Sequence, residues 1–221
     1  MHGVQRAMLS LTNVTEDGTV YTPPEVVALT ALAHADGLIC HMDGARFANA
    51  LVATGATPAE MTWKAGIDIL SFGGTKNGLM GVEAVVIFDP AKACEFELRR
   101  KRSGHLISKH RFLSAQMEAY LDGDLWLHLA TQANATAKRL SNGIAALPGT
   151  ALIHPTQANI VFASWSRAGH HRAQRAGASY SFWPFDPPSD GPPDEPLTAR
   201  LVTSWCTTKA DVDAFLNALS G

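Results

Sequence analysis

The sequence predicts an α/β domain with a mostly parallel sheet, followed by a small α+β domain. Short apolar runs of strand length alternate with helices that begin at capping signals in the first half of the chain. A glycine-rich loop joins two of these runs, and further strands and helices follow a long helical region. We place the first domain, with its linking helices, at 1–125 and the small domain at 126–221.

The composition excludes several classes of protein. A chain of 221 residues with 46% hydrophobic residues can form one large core or two smaller ones. The net charge of −2 argues against nucleic acid or an anionic membrane as the main partner. The sequence offers neither a membrane-spanning run nor the apolar core of a signal peptide. Three well-separated cysteines indicate reduced, mostly buried thiols of a cytoplasmic protein: Cys40, Cys94 and Cys206.

The first elements alternate as an α/β domain requires. An apolar strand covers residues 7–12, almost at the start of the chain. A helix is predicted from Thr22, because Thr22 can cap it, Pro23 suits its first position and Glu25 completes a capping box. That helix is predicted to end near residues 36–37.

Three more strands and a second capped helix complete the predicted first sheet. A short apolar strand starting near residue 38 ends in Asp43, and a helix start follows at Thr57. Residues 67–71 and 82–88 have the length and β-branched content of buried strands.

The remaining elements are predicted to be a helical region and then mixed structure. Residues 90–147 are mostly helical in pattern and include the basic run 99–102, which is a solvated helix face or else a phosphate or subunit contact. The segment 182–196 contains six prolines and is predicted to be a loop. The other predicted elements are a long amphipathic helix over 124–147, strands at 151–153, 159–163 and 198–205, and helices at 167–175 and from Thr208.

The loop over residues 71–81 contains four glycines and one lysine, Lys76. Glycine permits positive φ angles and lets the backbone approach a ligand closely. A lysine held in such a loop can act as an amine nucleophile and can form a Schiff base with a carbonyl group. The alternative is an ordinary surface lysine in a flexible loop.

Asp43 and Lys76 are predicted to converge. Ligands of parallel α/β sheets bind beyond the carboxyl ends of the strands, and both residues follow such ends. Pyridoxal 5′-phosphate needs an amine for its aldehyde and a carboxylate for its ring nitrogen. Arg46 is placed for the cofactor's phenolic oxygen or a substrate carboxylate. The alternatives are an ordinary turn at Asp43 and a surface helix residue at Arg46.

Several motifs together resemble the low-specificity L-threonine aldolases, in the branch that includes phenylserine aldolases. These enzymes belong to the β-eliminating lyase group of fold-type-I pyridoxal phosphate enzymes. Each motif alone is weak, but the set extends over nearly the whole chain. The motifs are HMDGARFANA (41–50), AEMTWKAG (59–66), SFGGTKNG (71–78), RRKRSGH (99–105), RFLSAQ (111–116) and RLVTS (200–204).

The resemblance implies a role for each candidate site residue. Lys76 would bind the cofactor aldehyde and Asp43 would pair with the pyridinium nitrogen. Arg46 and Arg200 would hold the substrate α-carboxylate, with Arg46 also near the cofactor, and His2 would contact the substrate β-hydroxyl group. The further implied cofactor contacts are Thr75, Arg111 for the phosphate, and Asn13. No metal is implied.

The resemblance also implies the reaction and the assembly. A β-hydroxy-α-amino acid would be split by a retro-aldol step into glycine and an aldehyde. The subunits would form a homodimer or homotetramer with active sites shared between them. The alternatives are a β-eliminating lyase that acts on an aromatic amino acid and a truncated, inactive fragment. Family members are expected to be longer at the N-terminus by on the order of a hundred residues, including a phosphate-binding loop and a histidine that stacks on the cofactor ring.

Overall fold

The computed structural model describes residues 5–188 and 190–221, which form two compact units. The first unit contains the described residues up to Val14 together with residues 21–128. The second contains residues 15–20 and the described residues from Leu129 onwards. Each unit has its own sheet.

The sheet of the first unit is mostly parallel, as predicted. Three strands run parallel to one another and the fourth is antiparallel to the third. In order across the sheet they are β1 (Met8–Thr12), β2 (Ile39–Gly44), β3 (Ile69–Gly73) and β4 (Glu83–Ile87).

The prediction that the fourth strand is buried was wrong. In the described part of the chain β4 pairs with β3 alone, so it is an edge strand. Val85 and Val86 consequently remain 41% and 37% exposed. Their β-branched side chains fit an edge strand as well as a central one, so the sequence pattern could not separate the two cases.

The helices of the first unit include two that begin directly after the capping residues predicted for them, Thr22 and Thr57. In chain order, the helices of this unit are α1 (Pro23–Ala35), α2 (Phe47–Thr54), α3 (Pro58–Met61), α4 (Ala93–Arg102), α5 (Arg111–Leu121) and the beginning of α6 (Leu125–Ala145). The carboxylate of Glu25 accepts a hydrogen bond of 2.7 Å from the backbone N–H of Thr22, which confirms the predicted cap of α1. Within the described residues, no helix is both long enough and apolar enough to cross a membrane.

Two helices differ from the prediction. The capped start at Thr57 is confirmed, but α3 ends after one turn. Helix α2 was not predicted, because it follows closely on the strand predicted to end at Asp43 and has no side-chain cap. It ends at Gly55, which adopts a φ of 69° that glycine accepts readily.

One face of the first sheet is well covered. Alternate residues of β2 and β3 share a face, and Cys40, Met42, Leu70 and Phe72 are all buried on it. Residues between them on β2 and β3, including Asp43, point to the opposite face and are half-buried.

The second unit has an antiparallel sheet packed on helices. Its strands lie in the order β5 (Ala151–Leu152), β6 (Ile160–Ser166), β8 (Pro196–Val202) and β7 (Ser181–Phe182). Its helices are the remainder of α6, then α7 (Arg167–Arg175) and α8 (Lys209–Ser220). Trp165 of β6, Leu140 of α6 and Val212 of α8 belong to one buried apolar cluster. The predicted small α+β arrangement is therefore present in residues 129–221 as far as they are described.

The cysteines are free thiols, but the prediction that they are mostly buried was wrong. Cys40 is buried on the covered face of the first sheet. Cys94 and Cys206 are exposed, the first on α4 and the second just after β8. Cysteine residues are buried more often than most, but spacing along the chain does not tell which ones are.

The proline-rich loop of the second unit (residues 183–188 and 190–195) is fixed to the start of α7. The Arg167 guanidinium, 4% exposed, donates from Nη2 to Glu195 Oε2 at 2.5 Å and from Nη1 to the Pro188 carbonyl at 2.7 Å. The backbone N–H groups of Arg167 and Ala168 donate to the carbonyls of Glu195 and Pro193, each at 2.8 Å. A loop without regular structure is thus held by a buried cation and by free N–H groups of a helix start.

Replacing Arg167 with methionine is expected to destabilise the second unit by about 2 kcal/mol, because the partly buried Glu195 carboxylate loses its cation. Limited proteolysis should then cut the proline-rich loop faster than in the wild type. Arg175→Met, at the exposed end of the same helix, is the matched control and should leave the rate of cutting unchanged. Equal cutting of both variants would show that Arg167 does not hold the loop.

Candidate active site

The carboxyl ends of the three parallel strands meet at one edge of the first sheet. The backbone N–H of Asn13, just after β1, donates to the Asp43 carbonyl of β2 at 3.0 Å. Gly73 at the end of β3 lies against Ala45, since a Cβ atom on Gly73 would come within 2.6 Å of the Ala45 carbonyl oxygen. This close approach of two backbones requires glycine and joins the segment after Asp43 to the segment before Lys76.

Asp43 is the last residue but one of β2, and Arg46 lies on the turn between β2 and α2. The Asp43 side chain is half-buried, and its Oδ1 accepts a hydrogen bond of 2.9 Å from the Ala45 N–H. That bond fixes the carboxylate at the strand end. Arg46 is half-buried and immediately precedes Phe47, the first residue of α2.

Lys76 lies in a short 3₁₀ turn, Thr75–Asn77, directly after β3. The turn closes through hydrogen bonds from the N–H groups of Asn77 and Leu79 to the Gly74 carbonyl, at 3.0 and 3.1 Å. The Lys76 side chain is exposed and makes no hydrogen bond or ion pair with the described residues. An amine in this position is accessible to a carbonyl compound.

A cluster of four aromatic rings lies beneath this edge. The Phe72 ring packs against Phe47, Tyr120 and Trp126, with centroid distances of 6.0, 5.9 and 5.4 Å. Phe47 follows Arg46, and Phe72 precedes the glycines of the lysine loop, so the cluster gives both segments a common support. Offset and edge-to-face ring pairs of this kind add to the stability that burial provides.

The other predicted site residues are placed in different surroundings. Asn13 is fully buried, and its side-chain amide donates to the Tyr21 carbonyl at 3.1 Å and accepts from the Tyr21 N–H at 3.2 Å. Thr75 is exposed, and Arg111 is exposed at the start of α5, where its guanidinium lies 4.9 Å from the Phe112 ring centroid.

Two further predicted site residues are not among the described residues of the first unit. Arg200 is a half-buried residue of β8 in the second unit and lines a cavity of about 520 Å³ there. His2 lies outside the described residues. The roles of both in binding stay predictions.

Sequence reasoning missed several polar residues at the edge. Asn77 and Tyr120 are buried and hydrogen-bonded to each other at 2.6 Å. The Glu83 carboxylate accepts hydrogen bonds from the N–H groups of Gly74 and Thr75, at 3.0 and 3.1 Å. The only signal for Asn77 was its position next to Lys76. Tyr120 is distant in sequence, and nothing in its local pattern indicated this contact.

His41 was also missed as a polar link across the strands. Its ring bonds to Ser10 Oγ at 2.8 Å and to Ser71 Oγ at 2.9 Å, and the three residues lie on β2, β1 and β3. The alternation of the strands places His41 on the same face as Asp43, two residues on. This link orders the half-buried face that leads to the Asp43 carboxylate.

One group of potential metal ligands among the described residues lies at the opposite ends of the strands. Donor atoms of His34, Cys40 and Asp68 lie within 4.8 Å of one another. Asp68 Oδ2 accepts a hydrogen bond from the Cys40 N–H at 2.8 Å and contacts His34 Nε2 at 3.2 Å. Burial and the neighbouring Asp68 raise the pKa of the Cys40 thiol, which disfavours the thiolate that a metal needs. These residues therefore act as a polar link between α1 and the sheet.

The residues at the carboxyl edge fit pyridoxal phosphate. The edge offers an accessible amine at Lys76 and a fixed carboxylate at Asp43. Between them the backbone of Gly73 contacts Ala45 without any intervening side chain. An aldehyde cofactor with a basic ring nitrogen needs this pair of groups.

The fold is that of the fold-type-I pyridoxal phosphate-dependent enzymes. A threonine aldolase from Leishmania major superposes with a TM-score of 0.84 at 27% identity, over 96% of this chain and 60% of that one. A structure described as an L-allo-threonine aldolase from Listeria monocytogenes shares the fold with a TM-score of 0.71 at 13% identity, over 96% of this chain and 60% of that one.

Within this class the chain belongs to the beta-eliminating lyase family, which it matches over residues 1–166. It is 42% identical over 212 residues to a low specificity L-threonine aldolase of a Pseudomonas species (strain NCIMB 10558), covering 96% of this chain and 58% of that protein. It is 45% identical over 207 residues to a low specificity L-threonine aldolase of Pseudomonas aeruginosa, covering 94% of this chain and 57% of that protein. The chain thus spans somewhat more than half the length of these relatives.

Proposed function

We propose that this chain supplies the cofactor lysine of a pyridoxal phosphate-dependent aldol lyase. The enzyme would cleave L-threonine, allo-threonine or related β-hydroxy-α-amino acids such as phenylserine to glycine and an aldehyde. The observation that carries the proposal is the contact of Gly73 with Ala45, which joins the segments of Lys76 and Asp43 at one sheet edge. The identity of 42% and 45% to two L-threonine aldolases supports the choice of reaction.

Lys76 and Asp43 would hold the reactive part of the cofactor. The Lys76 amine would bind the aldehyde, and the Asp43 carboxylate would keep the ring nitrogen protonated. When bound, the cofactor supplies an electron sink for the bond that breaks at Cα. The hydrogen bond from Ala45 to Asp43 supports this assignment, because it orients the carboxylate at the strand end. Thr75, Asn13 and the Arg111 guanidinium would be further cofactor contacts, with Arg111 at the phosphate.

Arg46 and Arg200 would bind the substrate through its α-carboxylate. A guanidinium group offers two parallel N–H donors to a carboxylate, which fixes the orientation of the amino acid. His2 would contact the β-hydroxyl group. His2 or a water molecule would take the hydroxyl proton, after which the Cα–Cβ bond breaks and the aldehyde leaves.

The protein would act as a homodimer or homotetramer in the cytoplasm. Three free cysteines support a reducing compartment. Large apolar side chains on the first unit, such as Val85 at 41% and Phe112 at 60% exposure, support burial in an assembly.

Product analysis tests the proposed reaction. The chain would be given pyridoxal phosphate and L-threonine or phenylserine, both alone and co-expressed with the part of the P. aeruginosa relative that it does not match. We expect glycine and the corresponding aldehyde. Pyruvate and ammonia from an aromatic amino acid would instead indicate a β-eliminating lyase. A folded protein that forms neither set of products in either preparation would contradict the proposal.

A further inference from the structure

We infer that Asn77 and Glu83 are positioning residues that hold the Lys76 turn at its two ends. The inference rests on the proposed role of Lys76. It extends that role to residues that do not themselves react. The evidence is the way the turn Thr75–Asn77 is bonded to β4, to α5 and to the start of α6.

Glu83 holds the beginning of the turn. Its two carboxylate oxygens accept separately, Oε2 from the Gly74 N–H at 3.0 Å and Oε1 from the Thr75 N–H at 3.1 Å. Glu83 is the first residue of β4 and pairs in register with Gly73. Two adjacent N–H groups are thereby fixed to a regular strand by charge-assisted bonds.

Asn77 holds the end of the turn. Its side chain is 4% exposed, and Nδ2 donates to the Tyr120 hydroxyl at 2.6 Å and to the Trp126 carbonyl at 2.8 Å. Both hydrogens of the amide nitrogen are thus used in a buried site, where an unpaired donor would be costly. No aliphatic residue at position 77 could make these bonds.

The Tyr120 hydroxyl connects the two ends. It accepts from Asn77, after Lys76, and lies 3.5 Å from the Gly73 carbonyl, before Lys76. Tyr120 is completely buried, and this burial raises the pKa of its phenol to about 12, so the hydroxyl stays neutral. The chain is therefore fixed on both sides of Lys76, through the backbone N–H groups of Gly74 and Thr75 and through the side chain of Asn77, while the Lys76 side chain is exposed.

This arrangement orients the amine without burying it. A nucleophile on a rigid turn is held in the orientation that reacts, whereas one on a flexible loop also samples many orientations that do not. The rigid turn therefore accelerates bond formation. Loss of either anchor should leave Lys76 present and exposed but poorly placed. The consequence is a slower reaction of this lysine in particular.

Reductive trapping with pyridoxal phosphate and cyanoborohydride tests the inference. The modified lysines are mapped by mass spectrometry, and labelling of Lys76 is divided by labelling of Lys64, an exposed lysine before β3. We expect Asn77→Ala and Glu83→Ala each to lower this ratio by roughly tenfold, and Tyr120→Phe to lower it less. Unfolding would also bring this ratio towards one, so it is compared only between variants that are folded.

The controls separate the possible failures. Circular dichroism establishes that each variant is folded. If Asn77→Ala does not fold, Tyr120→Phe takes its place as the test, because it removes the hydroxyl that bonds Asn77 and keeps the buried ring. If wild-type Lys76 is labelled no faster than Lys64, the proposed function fails. If Lys76 is preferred in the wild type and equally preferred in the folded variants, the positioning role is overturned and the proposed function stands.

Discussion

Replacing Lys76 with alanine is expected to remove the yellow absorption band that pyridoxal phosphate gives when bound to an amine. The same change should lower aldol cleavage by at least about 10³-fold, because the covalent attachment point and its proton-transferring amine are lost together. The Lys76 side chain makes no hydrogen bond or ion pair with the described residues, so its removal should leave the fold intact. Visible spectra and glycine formation measure the two effects in the same assembled preparation.

Lys64→Ala is the matched control for this experiment. Lys64 is also exposed, but it lies before β3, whereas Lys76 lies after β3. Each variant therefore loses one exposed positive charge, at opposite ends of the same strand. The Lys64 ammonium lies 5.5 Å from the Trp63 ring centroid, a weak surface contact. Wild-type binding in Lys76→Ala, or equal losses in both variants, would refute the assignment of Lys76.

The fold could be predicted where local chemistry determines it. Thr22 and Glu25 mark the start of α1, Thr208 marks that of α8, and both caps are present. The unpredicted α2 begins without a side-chain cap, so its start left no sequence signal. The exposure of Val85 depends on how many strands neighbour β4, which is a property of the sheet and not of the segment.

Of the candidate site, the sequence pattern could predict only the residues that lie at the ends of strands. Asp43 and Lys76 follow apolar runs, and parallel strands bring such ends together. Tyr120 reaches the same place from a helix more than forty residues away in sequence, through the bond to Asn77. A single tyrosine on an amphipathic helix resembles any other core residue, so the polar support of the site required the structure.

The second unit contains a buried histidine whose charge state links stability to pH. His170 is completely buried, stacked on the Trp165 ring at 4.1 Å, and bonded through Nδ1 to the Tyr180 hydroxyl and through Nε2 to the Leu197 carbonyl, each at 3.0 Å. Burial lowers the pKa of His170 to about 4, and the nearby Arg167 also disfavours the charged form. The folded unit therefore holds this side chain neutral at pH values where an unfolded histidine is charged.

Acidification is expected to destabilise the second unit through His170. Between the unfolded pKa of about 6.5 and the folded value of about 4, the unfolded chain binds one more proton, so the free energy of unfolding falls as the pH falls through this range. Going from pH 7.5 to pH 5, the loss should be about 2 kcal/mol, and above pH 7 this group should have no effect. Urea unfolding followed by tryptophan fluorescence at the two pH values measures it.

His170→Gln removes the titration while keeping a polar side chain among the same neighbours. This variant is expected to be less stable at pH 7.5, because glutamine loses the ring stacking on Trp165, yet to show a pH dependence smaller by about the same 2 kcal/mol. His171→Gln, at the exposed neighbouring position, should retain the wild-type dependence. An equal pH dependence in wild type and His170→Gln would mean that His170 is not the group through which acid acts on this unit.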